Sequence, residues 1–243
     1  MTFSQLTGRT PHLPLTLTLD NGQSLLVQQW LRVLPEQRYV ARAQWQGRTV
    51  LVKLLVGAKA ARHYQRELSG AQLLAEQKIN TPKLLDAQQH SDGSAYLLFE
   101  FIDDAQSLAD AWQACSTAAP LTAQQSQVLS QALQAVAQMH LRGLWQSDLH
   151  LDNLLQQGKQ LYVLDGGGVQ SEQTGQPLPQ ATVLDNLAVF FAQLPSAYDA
   201  HLAELLAHYL VVNATHQLAI EDLHQKILKI RQWRVKDYLN KVG

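Results

Sequence analysis

The stretch Met139 to Gly168, MHLRGLWQSDLHLDNLLQQGKQLYVLDGGG, limits what this chain can fold into more than any other. It begins at the end of an amphipathic pattern in which Leu129, Leu133, Val136 and His140 recur at helical spacing. Thr122 followed by Gln125 carries the capping-box signature that opens such a helix. Gly143 ends it. Asp148 and Asn153 follow, then two short strand-like pieces, Asn153 to Gln156 and Gln160 to Leu164, divided by Gln157-Gly158-Lys159. The second piece delivers Asp165 into Gly166-Gly167-Gly168. An Asp-x-x-x-x-Asn pair by itself usually marks turn capping. The ordered set of capped helix, glycine, Asp148, Asn153, hairpin and Asp165 is far more specific.

Upstream, Ser24 to Leu34, Arg38 to Gln46 and Arg48 to Val56 are rich in β-branched and aromatic residues. Pro35-Glu36-Gln37 and Gln46-Gly47 supply turns between them, which predicts an antiparallel meander. The spacing of Tyr64, Leu68, Ala71 and Leu74 or Ala75 predicts a helix over 58–77, stopped before Thr81-Pro82 because a residue preceding proline is pushed out of the α region. Ala95 to Ile102 reads as a buried strand closed by Asp103-Asp104. Downstream, a loop is expected over 166–180 and helices over 182–193, 198–212 and 216 to about 242. The expected class is α+β, with a sheet-rich N-terminal lobe over 1–103 and a mainly helical C-terminal lobe over 104–243. A chain of 243 residues, 46% hydrophobic and 16% charged, has the length and apolar content for one unit of two lobes.

A net charge of −1 gives no global attraction for nucleic acid. Cys115 is the only cysteine, which excludes an intrachain disulfide and points to a reducing compartment. Residues 1–20 lack a basic region followed by an apolar one, and no run approaches the roughly 18 apolar residues of a membrane span. A cytoplasmic protein that can still visit the cytoplasmic face of a membrane is expected. The histidines outside Met139–Gly168 lack metal-ligand spacing.

Moving a phosphoryl group needs a carboxylate to take the acceptor hydroxyl's proton, oxygen ligands for Mg²⁺, and cations on the phosphates. Asp148, Asn153 and Asp165 supply a base and two ligands in this pattern. Lys53, inside Val50-Leu51-Val52-Lys53-Leu54, supplies a cation whose burial is costly unless it is paired. Glu67 on the following helix can pair with it, and Arg66 and Glu76 are the other charges there.

Lys53, Glu67, the hinge-like Phe99-Glu100-Phe101-Ile102 and the Asp148, Asn153, Asp165 series resemble the protein-kinase-like superfamily. The compact size and the DLHLDNLL string are similar to bacterial lipopolysaccharide core kinases, which phosphorylate heptose or 3-deoxy-manno-octulosonic acid (Kdo). Leu184-Asp185-Asn186-Leu187 and the basic Ile230 to Val242 resemble further segments of that group. The superfamily resemblance covers about 48–194. It implies a bilobal kinase-like fold and transfer from ATP with Mg²⁺ to a sugar hydroxyl of lipopolysaccharide inner core or a lipid-linked sugar. It further implies Asp148 as base, Asn153 and Asp165 on the metal, Lys53 and Glu67 at the phosphates, and Glu100 and Ile102 at the nucleotide.

The sequence departs from the pattern in several places. Leu34-Pro35-Glu36-Gln37 stands where a glycine-rich loop is expected, and Gln146-Ser147 stands where His-Arg often precedes the base. His150 occupies a position that often holds a phosphate-facing lysine, and serves either as a contact to phosphate or hydroxyl or as a polar loop residue. No Phe follows Asp165. These departures favour a glycan or small-molecule kinase over a regulated protein kinase. An aminoglycoside- or choline-kinase-like enzyme and a degenerate pseudokinase are the alternatives. Lys226, Lys229, Arg231, Arg234, Lys236 and Lys241, interleaved with apolar residues and opposed by Asp237, make a C-terminal helix that either meets an anionic glycolipid or inner-membrane surface or packs on its own lobe.

Overall fold

The computed structural model describes residues 3, 6, 8–115 and 121–242, with side chains through Val235. The chain forms two compact units, one made of Met1–Ala75, Thr81–Asp103 and Asp165–Gly167, the other of Glu76–Asn80, Asp104–Leu164 and Gly168–Gly243.

The first unit contains β1 (Leu15–Thr18), β2 (Ser24–Leu34), β3 (Arg38–Trp45), β4 (Arg48–Leu55), α1 (Ala60–Glu76), β5 (Leu84–Gln89) and β6 (Ala95–Glu100). The strands form one antiparallel sheet in the order β1-β2-β3-β4-β6-β5. The predicted meander is β2 to β4, and the buried strand is β6. Sequence reasoning missed β1 and β5: β1 is only four residues long, and Leu84-Leu85-Asp86-Ala87-Gln88-Gln89 has no clean alternation. Lys53 therefore lies on the fourth strand.

Period-two alternation sorts this sheet into two faces. Tyr39, Ala41, Ala43, Val50, Val52 and Leu54 are fully buried on one face, beneath Phe3, Leu6, Leu17 and Leu19. Each fully buried Leu or Val contributes about 1.5–3 kcal/mol. The other face carries Arg38, Val40 and Arg42 on β3 with Leu51 and Lys53 on β4, and Val40 pairs with Lys53 in register. Helix α1 packs on this side through Ala60, Tyr64 and Ala71, against Leu55, Leu97 and Phe99.

The second unit contains β7 (Gln106–Ser107), α2 (Leu108–Gln113), α3 (Ala123–Leu141), β8 (Leu144–Gln146), β9 (Leu154–Gln157), β10 (Gln160–Val163), β11 (Val169–Ser171), α4 (Gln180–Phe191), α5 (Leu202–Leu210) and α6 (Ile220–Val242). The predicted capping box is present: Gln125 N–H donates to Thr122 Oγ1 at 3.3 Å, and Thr122 N–H donates to Gln125 Oε1 at 2.9 Å. Leu129, Leu133, Val136 and His140 are the buried face of α3. Gly143 adopts φ +75°, and a Cβ there would lie 2.1 Å from Gln173 O, so only glycine fits this chain reversal. Part of the predicted 166–180 loop is a strand. β11 pairs antiparallel with β8, a two-stranded ribbon too short to show a period. A 3-10 segment, Ser196–His201, replaces the first turns of the helix expected over 198–212.

Helix α6 buries Leu223 and Ile227. Arg231 is committed to its own unit, with both Asp199 oxygens at 2.7 and 2.9 Å and the Leu194 carbonyl at 3.0 Å, and Lys226 pairs with Asp185. Trp233 and Val235 stay exposed. The side chains of Lys236, Asp237, Leu239 and Lys241 lie outside the described residues.

Candidate active site

In the first unit, Lys53 Nζ donates to Glu67 Oε2 at 2.6 Å and to Asp165 Oδ1 at 3.0 Å. Strand β4 projects the lysine from the α1 face of the sheet, and Glu67 comes from the buried side of α1. Burial alone lowers a lysine's pKa, yet the Glu67 and Asp165 carboxylates outweigh it and hold the Lys53 ammonium above its ordinary value. Burial likewise raises Asp165, but the charge and hydrogen bond of Lys53, with Arg38 nearby, hold its carboxyl well below the usual carboxylate range. Burial pushes Glu67 up, opposed by Lys53 and reinforced by Asp165. The signs give Lys53 and Asp165 charged side chains at neutral pH.

Arg38 joins this cluster, with Nη1 3.4 Å from Glu67 Oε1 and 3.8 Å from Asp165 Oδ1. Sequence reasoning missed it. The available signal was alternation: Arg38 and Arg42 occupy every second-residue positions on the Lys53 face of a strand whose other face is entirely apolar.

The turn bearing Asp165 is seated by glycines. A Cβ on Gly70 would fall 1.9 Å from Gly166 O, and one on Gly166 would fall 2.7 Å from both Ala71 N and Glu67 O. Backbone thus rests on backbone between α1 and the Asp165 turn, and Asp165 itself adopts φ 62°. This contact gives a physical reason for Gly166-Gly167 after the acid, where no bulky side chain would fit. Gly166→Ala is expected to cost about 1–3 kcal/mol through overpacking. It should also lower phosphoryl transfer more than tenfold, because α1 and Asp165 must separate. Parallel thermal melts and turnover measurements check both effects.

Along the hinge-like segment, Glu100 N–H is taken by Lys83 O at 2.8 Å, while Ile102, half-buried, has no hydrogen-bond partner on its backbone among the described residues. Ile102 can therefore present a free donor and acceptor to the edge of a planar base. Glu100 points to solvent and offers no such free N–H.

In the second unit, Asp148 sits on an open loop with its side chain 80% exposed. Asn153 is buried and donates Nδ2–H to Asp148 O at 2.8 Å. A carbonyl can only accept, so this bond fixes the amide orientation and leaves Asn153 Oδ1 with no donor among the described residues. A free amide oxygen and an ionised Asp165 are hard oxygen donors of the kind Mg²⁺ takes. His150 lies between two acids, with Nε2 3.6 Å from Asp148 Oδ2 and Nδ1 3.5 Å from Asp152 Oδ2, both too long for hydrogen bonds.

Behind this loop runs a buried polar chain that sequence reasoning also missed. Asn186 Nδ2–H donates to Gln146 O at 2.7 Å, so its Oδ1 must accept from His140 Nε2–H at 3.0 Å. Neutral His140 then accepts at Nδ1 from the Tyr209 hydroxyl at 3.0 Å, and Asn213 Nδ2–H donates to that hydroxyl at 2.8 Å. In the sequence His140 shows only as one of the apolar-spaced positions of its helix.

The family model described as "Lipopolysaccharide kinase (Kdo/WaaP) family" matches residues 28–167, a span that holds Arg38, Lys53, Glu67, Asp148, Asn153 and Asp165. No curated protein sequence matches the chain. Among solved structures, "WaaP in complex with acyl carrier protein" is similar at 17% identity and TM-score 0.53, covering 87% of this chain and 88% of that one. The PknI kinase domain of Mycobacterium tuberculosis is similar at 16% identity and TM-score 0.52, covering 94% of this chain and 99% of that one. At these identities the structural likenesses show the fold, which is protein-kinase-like. With more than half its length matched, this chain belongs to the lipopolysaccharide kinase (Kdo/WaaP) family and is a phosphotransferase acting on a sugar hydroxyl.

Proposed function

We propose that the enzyme transfers the γ-phosphoryl group of ATP, with Mg²⁺, to a hydroxyl of Kdo or heptose in the lipopolysaccharide inner core. The observation that carries this reading is the Lys53–Glu67–Asp165 cluster, in which a buried ammonium is held by one acid from α1 and one from the turn at Asp165. Lys53 takes the phosphates and Glu67 orients it. Asn153 and Asp165 serve as the magnesium ligands, and Ile102 reads the base of the nucleotide through its backbone. Magnesium, when bound, neutralises charge on the phosphates.

Asp148 accepts the proton of the acceptor hydroxyl, and its exposed carboxylate leaves room for that hydroxyl. His150, next to both Asp148 and Asp152, contacts the acceptor or the transferred phosphate. The acceptor is anchored in a membrane, and the exposed Trp233 with Lys229 and Arg234 of α6 gives the enzyme an apolar and cationic surface for reaching it. No helix among the described residues is long and apolar enough to cross a membrane.

Thermal melts with ATP test the nucleotide and metal assignments together. ATP with Mg²⁺ should raise the melting temperature by several degrees, and removing the metal with a chelator should abolish most of that rise. An equal rise with and without Mg²⁺ would contradict the ligand roles of Asn153 and Asp165.

A further inference from the structure

We propose that Arg38 is a phosphate-binding residue: its guanidinium, resting on Glu67 and Asp165 in the free protein, takes the phosphate chain of a nucleoside triphosphate in place of the backbone amides that a glycine-rich turn would offer. This inference rests on the nucleotide reading above and names one further residue of that site.

Three observations carry it. First, the β2–β3 turn has no amide to give. Pro35 has no N–H, Glu36 N–H donates to the Tyr39 hydroxyl at 3.3 Å, and Gln37 N–H donates to Leu34 O at 3.1 Å. The turn is further tied down by Val56 N–H donating to Gln37 O at 2.9 Å. A glycine-rich loop cradles phosphate with free amides; this one spends its own internally.

Second, Arg38 is under-satisfied where it lies. Lys53 holds the short contacts to Glu67 and Asp165, at 2.6 and 3.0 Å, and leaves Arg38 the long ones, at 3.4 and 3.8 Å. Charge-assisted N–H to carboxylate bonds settle near 2.7–2.9 Å. Arg38 Nε is buried with no acceptor among the described residues. A guanidinium has five N–H donors in a fixed fork that matches phosphate oxygens, and here most of them are unspent.

Third, its position is set by the sheet. Arg38 is the first residue of β3, immediately after the turn, and stands two residues from Val40, the register partner of Lys53. Arg42, further along the same face, also has a buried Nε with no hydrogen-bond partner among the described residues. Its guanidinium, however, lies over the Phe101 ring at 5.2 Å and forms no ion pair with Glu67 or Asp165 among the described residues.

Calorimetric titration of ATP, ADP and AMP in magnesium buffer, without acceptor, into wild type and Arg38→Gln tests the assignment. Wild type should bind ATP more tightly than AMP. Arg38→Gln should weaken ATP binding about 10- to 100-fold, the worth of a charged hydrogen-bond pair, while AMP stays within about twofold. Should wild type bind ATP no better than AMP, the nucleotide reading itself fails. If wild type prefers ATP and Arg38→Gln keeps that preference, the Arg38 proposal alone is overturned. Equal weakening of all three nucleotides would also overturn it, making Arg38 a mere support for Glu67 and Asp165.

A second measurement needs no variant. Modification of wild type by phenylglyoxal, mapped by mass spectrometry, should show Arg38 protected by ATP and not by AMP. Protection by lipopolysaccharide with none by ATP would assign the residue to the acceptor and overturn the proposal.

Discussion

Asp148→Asn should lower phosphoryl transfer by about 10²–10⁴-fold, the range lost with a general base, while the affinity for ATP stays within about twofold. The substitution is close to isosteric and removes the capacity to take a proton. It leaves the loop intact, because Asn153 holds Asp148 through the backbone carbonyl, at 2.8 Å, and not through the carboxylate. Nor does it disturb a core, since the side chain is 80% exposed; stability should change by no more than about 0.5 kcal/mol. Turnover, nucleotide titration and thermal melts on one preparation separate these outcomes. Transfer at the wild-type rate would remove Asp148 from the base role.

The buried His140 should impose a second large effect, on stability and not on chemistry. Burial pulls its pKa down to about 4, and the hydrogen bond to Asn186 offsets only part of that pull. Tyr209, at the other ring nitrogen, is pushed upward by burial and stays neutral. The sign follows from which state binds the proton. Between the ordinary histidine value near 6.5 and the folded value near 4, the unfolded chain takes up a proton that the folded chain refuses. Stability therefore falls as pH drops through that window, by about 3 kcal/mol in all for this one group.

His140→Gln should flatten that slope while costing about 1–3 kcal/mol at pH 7, because Tyr209 or Asn186 loses its partner. Urea unfolding at intervals from pH 4 to 7.5 measures both, and the difference between the two proteins cancels the other histidines. Parallel curves for wild type and variant would show that His140 is not the group responsible. Because Asn186 also holds Gln146 O, two residues before Asp148, the variant should lose turnover as well.

Much of the fold was legible because its strongest signals are local. The Thr122–Gln125 capping box, the Gly143 stop and the period-two alternation of β3 and β4 each follow from a handful of neighbouring residues. The elements that escaped are short and lean on partners distant in sequence. β1 exists by pairing with β2, and β11 by pairing with β8, and nothing within Leu15–Thr18 or Val169–Ser171 demands it.

The site divides the same way. Lys53 with Glu67 could be read from a strand followed by a helix, and Asp165 from an apolar strand ending in glycine. From sequence alone the glycines after Asp165 show only as a missing packing residue; the 2.7 Å approach of Ala71 N and Glu67 O to a Cβ on Gly166 explains the first of them. No motif names Arg38, although alternation along β3 places it on the Lys53 face. The His140–Asn186 chain was hidden for another reason: a histidine at helical spacing among leucines looks like core until its two ring partners are known.

The most direct test of the account is transfer of radiolabel from γ-labelled ATP to purified lipopolysaccharide fractions, run with wild type and Asp148→Asn side by side. The account predicts label on inner-core fractions that contain Kdo or heptose, dependent on Mg²⁺ and nearly absent with the variant. Label appearing only on soluble amino-alcohol or aminoglycoside acceptors, or on no acceptor at all, would contradict it.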